Sequence, residues 1–316
     1  MDLEKLIIGS RGSDLALWQA NWIKSQLEDL HSGLQVEIKI IKTSGDKIQD
    51  VPLAKIGGKG LFVKEIEEAL LRREVDIAVH SMKDVPIKLP YELEISVITE
   101  RENPFDALIS RENIKLVDLQ ENAKIGTGSL RRSSQLLKYR PDLQIVPLRG
   151  NIDTRIKKLE SEGLDAIILA TAGLRSMGWT DKITEVIPSE IILPAMGQGA
   201  VGIETRTHDP DVFEAIMGLD HEETHLALDA ERAFVGELEG GCQLPIGAYA
   251  TIDEEEQNLT LNGLIARLDG KTVYHSSQQG PLAEPKKLGR ELGKKILAMG
   301  ADKILKEIYQ QSEPES

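Results

Sequence analysis

Residues 61–86 read LFVKEIEEALLRREVDIAVHSMKDVP. Two periodicities meet in this stretch. Leu61, Phe62, Ile66, Ala69 and Leu70 recur at the spacing of one helix face, and Val75 to Val79 then reads as a short buried strand. The same grammar continues upstream. Leu6-Ile7-Ile8 leads through the small-residue turn GSRGS into a helical pattern from Leu15 to Leu30, and Val36 to Ile41 alternates like a strand. This β-α-β-α order predicts a mainly parallel, wound sheet with helices on both faces.

The pattern restarts near Arg101. Ala107 to Ile109, Ala123 to Ile125, Ile145 to Leu148 and Ala166 to Ala170 are predicted strands. Helices are predicted over Leu130 to Tyr139, stopped by Pro141, and from about Asp153 to Ser161. After about His221 the grammar changes. A helix from Glu222 to Gly236 precedes strands over Pro245 to Ile252, Leu259 to Leu268 and Lys271 to Ser276, and a helix from Pro285 to Ile308 is broken near Gly300. Asp269-Gly270 predicts a type I′ hairpin turn, because glycine tolerates positive φ. The expected fold class is α/β: two wound α/β domains, then a small α+β domain with a three-stranded antiparallel sheet. The tail QQSEPES, 310–316, is expected to be disordered.

A chain of 316 residues exceeds one ordinary core, so two or three domains are expected. With 41% hydrophobic and only 4% aromatic residues, those cores rest on aliphatic side chains. The formal net charge of −14 argues against nucleic acid and anionic membranes as partners, so any anion site must be a local basic cluster. The single cysteine excludes an intrachain disulfide and a Cys-based zinc cage. His80 has no partner at metal-ligand spacing and reads as structural. The start MDLEKLIIGSRGSD lacks the basic opening of a signal peptide, and no run reaches membrane-span length. A cytoplasmic location is expected.

Several predicted strands end in small-residue turns that open helices. Gly9-Ser10-Arg11-Gly12-Ser13 is one, and Gly126-Thr127-Gly128-Ser129 before Leu130-Arg131-Arg132 is another. Such turns present backbone N–H groups to carboxylate or phosphate. Dipole energetics disfavours arginines in a first helical turn, so Arg131 and Arg132 point to a bound anion, against the plain reading of solvated arginines. Arg149 and Arg155 also fall near strand ends, where wound sheets bind ligands. Asp84 stands on a loop after the Val75 to Val79 strand. It reads either as a turn residue near Pro86 or as a carboxylate that stabilises positive charge. Lys55 to Gly60 is a basic, glycine-rich segment, either a lid over an anion or an ordinary loop. Cys242, between Gly240-Gly241 and Gln243-Leu244-Pro245, reads as a buried apolar residue or as a reactive thiol.

Taken in order, GSRGSDLALWQA, KGLFVKEIEEALL, HSMKDVP, GTGSLRRSSQL, LRGNIDTRIKKL, LPAMGQGAVGIE and the run from Glu231-Arg232-Ala233-Phe234 to Gly240-Gly241-Cys242-Gln243-Leu244-Pro245-Ile246-Gly247 resemble the porphobilinogen deaminase (hydroxymethylbilane synthase) family. The likeness runs from about residue 5 to about 310, with Leu244 where a β-branched residue is usual.

The resemblance implies two periplasmic-binding-protein-like lobes. Chain crossings fall near Glu100 to Pro104 and Pro194 to Gly199. Domain 1 is then 1–99 with 200–217, domain 2 is 104–194 and domain 3 is 222–309. It also implies a cytoplasmic, monomeric transferase that joins four porphobilinogen molecules head to tail. Each step releases ammonia, and water finally frees hydroxymethylbilane. The chain grows on a dipyrromethane cofactor held by a thioether, here at Cys242, with no metal and no nucleotide. Asp84 matches the catalytic aspartate. Lys83, Ser81, Ser13, Thr127, Ser129, Arg131, Arg132 and Gly150 match cofactor-binding positions. Arg11, Arg149, Arg155 and Gln198 match substrate-binding ones, and Lys55 and Lys59 the lid. Arg175 stands one place earlier than the family's arginine, a rotation of about 100° on a helix. A two-lobed polycarboxylate-binding protein without catalysis is the alternative that the arginines alone would allow.

Overall fold

The computed structural model describes residues 3–47, 60, 62–239, 244–253 and 255–312. They fall into two compact units. One gathers described residues of Met1–Gln49, Gly58–Glu102 and Gly199–His225, and the other those of Asn103–Gln198 and Leu226–Ser316.

The first unit is built on β1 (Lys5–Ser10), β2 (Gln35–Ile40), β3 (Ile77–Ser81), β4 (Leu93–Ile98) and β10 (Val201–Arg206), in the order β2-β1-β3-β10-β4. β1 runs parallel to β2 and β3, and β10 alone is reversed against its neighbours β3 and β4. Alternation along β3 assigns its faces. Ile77 and Val79 pack with Ile23 and Leu27 of α1 (Asp14–Leu30). Ala78 faces Ile66, Ala69 and Leu70 of α2 (Lys64–Leu71). The sheet is thus mainly parallel and covered on both sides, as the apolar run Ile77-Ala78-Val79 at its centre requires. α2 opens at Lys64, later than its periodicity suggests, and β3 continues to Ser81 because Ser81 pairs with Val201.

In the second unit β5 (Asp106–Ser110), β6 (Lys124–Gly126), β7 (Gln144–Val146), β8 (Ala166–Ala170) and β9 (Glu185–Ile187) take the order β7-β6-β8-β5-β9, with β5 the reversed strand. α3 (Leu130–Tyr139) covers one face through Leu136, against Leu108, Ile125 and Ile168. α4 (Ile152–Ser161) and α5 (Thr171–Ser176) cover the other through Leu159 and Leu174. α6 (Pro210–Ile216) belongs to the first unit and packs with α1. The sequence patterns did not bring out β4, β9, β10, α5 or α6.

The rest of the second unit is an antiparallel sheet of β11 (Ile246–Asp253), β12 (Asn258–Ala266) and β13 (Val273–Pro281). It is followed by α8 (Pro285–Ile296) and α9 (Asp302–Ser312), with a wide turn between them at Leu297–Ala301. The expected break is there: Gly300 has φ 111°. Two expectations are corrected. The hairpin before β13 is not type I′, because only Gly270 has positive φ, and its N–H closes a turn on Arg267 O at 3.0 Å. A type I′ turn would need positive φ at both central residues. The tail is helical as far as Ser312, because buried Ile304 and Leu305 carry α9 onward and Lys306 pairs with Asp302 at 3.0 Å.

α7 (Glu222–Glu237) meets α8 at Gly289. A Cβ there would stand 2.3 Å from Ala230 O and 2.8 Å from the Ala233 Cβ. Backbone, not a flexible side chain, would have to yield. Gly289→Ala is expected to lower stability by about 1–3 kcal/mol in urea unfolding; an unchanged midpoint would contradict this close helix contact.

Candidate functional site

The first unit places its candidates at the carboxyl ends of parallel strands. After β1, the Arg11 guanidinium lies over the Phe62 ring, 4.2 Å from its centroid. Ser13 occupies the N-cap of α1 without using its hydroxyl as the cap. After β3 the chain makes one 3₁₀ turn, Met82–Asp84. Met82 is buried, and Lys83 and Asp84 are half-buried. Apolar Met82 anchors the turn and leaves its polar neighbours accessible, which suits a carboxylate that must meet a ligand. Ser81 is held by its pairing with Val201.

The second unit concentrates charge. Asp106 opens β5 and is wholly buried. Its Oδ2 accepts Arg131 Nη1 at 2.7 Å. Its Oδ1 accepts Arg132 Nε at 2.9 Å, Arg132 Nη2 at 2.7 Å and Gln198 Nε2 at 3.0 Å. Burial alone would raise the Asp106 pKa, but Arg131 and Arg132 outweigh it and hold the carboxyl far below the usual range. Burial pushes the Arg131 guanidinium down from its ordinary value. Two guanidiniums against one carboxylate leave one positive charge in excess.

The two arginines are used differently. Arg132 directs Nε and Nη2 to Asp106 and Nη1 to Ile168 O at 3.0 Å. Arg131 gives Nη1 to Asp106 and to Leu193 O, 2.7 Å each, and its Nε and Nη2 bond to nothing among the described residues. That edge, two parallel N–H groups on a buried cation, is the shape that takes a carboxylate bidentately. Around it Thr127 Oγ1 accepts Ser129 N–H at 3.2 Å, and Ser129 Oγ caps α3 by accepting Arg132 N–H at 3.4 Å. A carboxylate-rich group fits this donor set.

Other candidates lie at neighbouring strand ends. Arg149, half-buried after β7, is pushed down from its ordinary pKa by burial. Gly150, at φ 115°, turns its carbonyl to Arg155 Nε at 2.7 Å. Arg175 stands exposed in the last turn of α5. Gln198, which the sequence reading assigns to substrate, is buried and gives its amide to Asp106 and to Pro104 O at 2.7 Å. Lys55, Lys59 and Cys242 lie outside the described residues.

Sequence reasoning missed Asp106 and Glu231. Glu231, buried on α7, accepts Gly197 N–H at 2.7 Å and Ala250 N–H at 2.9 Å, and so fixes the 193–198 turn against β11. Glu231 stood in a quoted motif with no role assigned. Asp106 carried no local signal, because its partners lie 25 and 26 positions away.

Residues 6–214 match the family described as porphobilinogen deaminase, dipyromethane cofactor binding domain, and residues 225–298 match porphobilinogen deaminase, C-terminal domain. A porphobilinogen deaminase of Geotalea uraniireducens (strain Rf4) is 55% identical over 310 residues, spanning 98% of this chain and 96% of the relative. One of Lawsonia intracellularis (strain PHE/MN1-00) is 52% identical over 307 residues, spanning 97% and 99%. Among solved structures, the periplasmic aliphatic sulphonate binding protein SsuA from Escherichia coli overlaps 75% of this chain and 71% of its own at 15% identity, with a TM-score of 0.40.

Asp106→Asn keeps the shape and removes the counter-charge of two buried guanidiniums. A loss of about 3–5 kcal/mol is expected in urea unfolding near neutral pH. The Asp106 pKa is depressed, so its contribution is present above the ordinary value of 3.8 and is lost as pH falls below it. The variant's deficit should therefore shrink on acidification. A deficit that is small, or the same at every pH, would contradict the charge account.

Proposed function

The chain belongs to the porphobilinogen deaminase family, and from that membership we propose how its residues divide the work of a transferase that condenses porphobilinogen into hydroxymethylbilane. In each condensation the aminomethyl carbon of one porphobilinogen loses ammonia and bonds to the free α-carbon of the growing chain, and that α-carbon loses its proton. Four such steps and a final hydrolysis give the linear product.

The observation that carries the assignment of roles is the buried Arg131–Asp106–Arg132 cluster, with its excess positive charge and the open Nε/Nη2 edge of Arg131. Every pyrrole of the substrate carries an acetate and a propionate. Arg131 grips one of these carboxylates directly. Arg132 adds its charge and keeps Asp106 in place, and Thr127, Ser129 and Gly150 supply shorter polar contacts beside it. Arg11, Arg149 and Arg155 bind carboxylates of the incoming substrate and the lengthening product, and Arg175 reaches one from the end of α5. Ser13, with its hydroxyl unused by the helix cap, and Ser81 with Lys83 add hydrogen bonds on the first unit. Gln198 acts through Asp106.

Dipyrromethane, when bound, supplies the free α-carbon from which the chain starts. Cys242 is the anchor for it, as the only sulfhydryl in the sequence. Asp84 stabilises the positive charge that appears on pyrrole nitrogen as ammonia leaves, and takes part in the proton transfers. Lys55 and Lys59 serve as a basic lid. The protein works as a cytoplasmic monomer and needs neither metal nor nucleotide. No helix among the described residues is long and apolar enough to cross a membrane.

Asp84→Asn tests the central role. Ammonia release from porphobilinogen should fall by about 100-fold or more, the range for a lost general acid–base group, with the unfolding midpoint unchanged. Turnover within a few-fold of the parent would remove Asp84 from the chemistry.

A further inference from the structure

Three titratable residues stand inside the family motifs without a part in the chemistry above: Glu67 in KGLFVKEIEEALL, His80 at the head of HSMKDVP and Glu204 at the end of LPAMGQGAVGIE. The fold brings them together. In the β3–β10 register Gly202 faces His80 and Glu204 faces Ala78, so 78, 80, 202 and 204 share one face of the sheet, the one α2 covers. His80 Nε2 lies 2.9 Å from Glu204 Oε2, and the two residues are 5% and 0% exposed. The second oxygen of Glu204, Oε1, is buried and bonds to nothing among the described residues. Glu67 comes down from α2 and is 9% exposed.

Such a group is costly in a small core. Apolar side chains of similar volume would stabilise it as well or better. A carboxylate brought out of water beside a second carboxylate is harder to charge. Burial first, and then the nearby Glu204 charge, push Glu67 up to about 7, with His80 opposing. The other charged groups facing the cluster are few among the described residues. Glu68 on α2 adds a further upward push. Arg206, two places beyond Glu204, is engaged by Asp209 at 2.6 Å and by Leu70 O and Val75 O at 2.8 Å each, with Asp76 at 3.6 Å. The neighbouring strands present only Gly9 of β1, beside Ala78, and Ile95 of β4, beside Glu204.

The cluster borders the Asp84 turn. A Cβ on Gly202, opposite His80, would stand 2.1 Å from Met82 Sδ, so the Met82 side chain fills the place of the missing one. Met82 N–H donates to Ala200 O at 3.0 Å, and Val85 N–H closes the turn on Met82 O at 3.3 Å. Two residues after His80 the chain enters the turn that carries Asp84. The register of β10 against β3, which the His80–Glu204 contact spans diagonally, therefore fixes where Asp84 stands.

We propose that Glu67, His80 and Glu204 are positioning residues, a buried polar cluster that locks α2, β3 and β10 together and so holds the Asp84 turn in its working place. The proposal rests on Asp84 as the reacting carboxylate. It implies that the turn is held best while Glu67 keeps its proton, and less firmly once Glu67 is charged.

Two variants test it. Glu67→Gln removes the titrating proton and keeps the shape. The raised acid makes the parent lose stability as pH rises from about 4.5 through about 7, and this slope should vanish in Glu67→Gln, as should the matching inflection in the pH profile of kcat. Glu204→Gln should speed amide exchange at Met82 and Val85 by about tenfold relative to amides of β5, and should lower kcat more than it changes KM. A merely structural role would lower stability without moving the pH profile or singling out those two amides. If Glu204→Gln does not fold, the stability slope and kcat profile of Glu67→Gln decide alone. Profiles that superimpose on the parent's would overturn the proposal. Near-normal turnover in Asp84→Asn would instead fault the Asp84 role, and the stability slope and amide exchange would still judge the cluster.

Discussion

Two guanidiniums closing on one buried carboxylate set the terms for the larger unit. Asp106 cannot be neutral or unpaired where it sits, and neither can Arg131 or Arg132. Satisfying all three fixes the first strand of the second sheet, the first turn of α3, the middle of β8 at Ile168 and, through Leu193 and Gln198, the 193–198 turn. Glu231 then ties that turn to the three-stranded sheet. In a protein of net charge −14, this cluster keeps one buried cation uncompensated, the charge that the proposed function assigns to substrate carboxylates. An apolar core could have been as stable. It could not have kept a positive charge in place without reorganising when the ligand arrives.

The two five-stranded sheets share one strand order, with four strands parallel and one reversed next to the edge. Each presents its candidate residues in the same way, from turns after parallel strands: Arg11 after β1 and Asp84 after β3 in one, Thr127 after β6 and Arg149 after β7 in the other. Helix N-termini and free backbone N–H groups collect at such ends, so a chemistry built on many carboxylates finds suitable donors there before any side chain is chosen.

Much of this was legible in the residues. Strands buried on both faces, such as Ala166–Ala170, and amphipathic helices such as Leu130–Tyr139 came out with their observed limits, because burial leaves an unbroken apolar run in one case and a 3.6-residue period in the other. β10 did not, since VGIETR carries Glu204 and Arg206 where a buried strand should be apolar, and their partners lie on other elements. The three-residue β9 is too short for any period to show. The shared strand order of the two sheets left no visible repeat, because topology constrains the hydrophobic pattern but not residue identity. In the site, the arginines and Asp84 were visible by their place after strands, and the motif likeness supplied their roles. Asp106 was hidden: a lone aspartate at a strand start has meaning only once the fold brings two arginines to it.

The intact mass of the purified protein under denaturing conditions, beside that of a Cys242→Ala variant, tests the central claim most directly. The account predicts an excess equal to two porphobilinogen units less two ammonias in the parent and none in the variant. No excess in the parent after incubation with porphobilinogen, or the same excess in both proteins, would contradict a carboxylate-rich primer anchored at that cysteine.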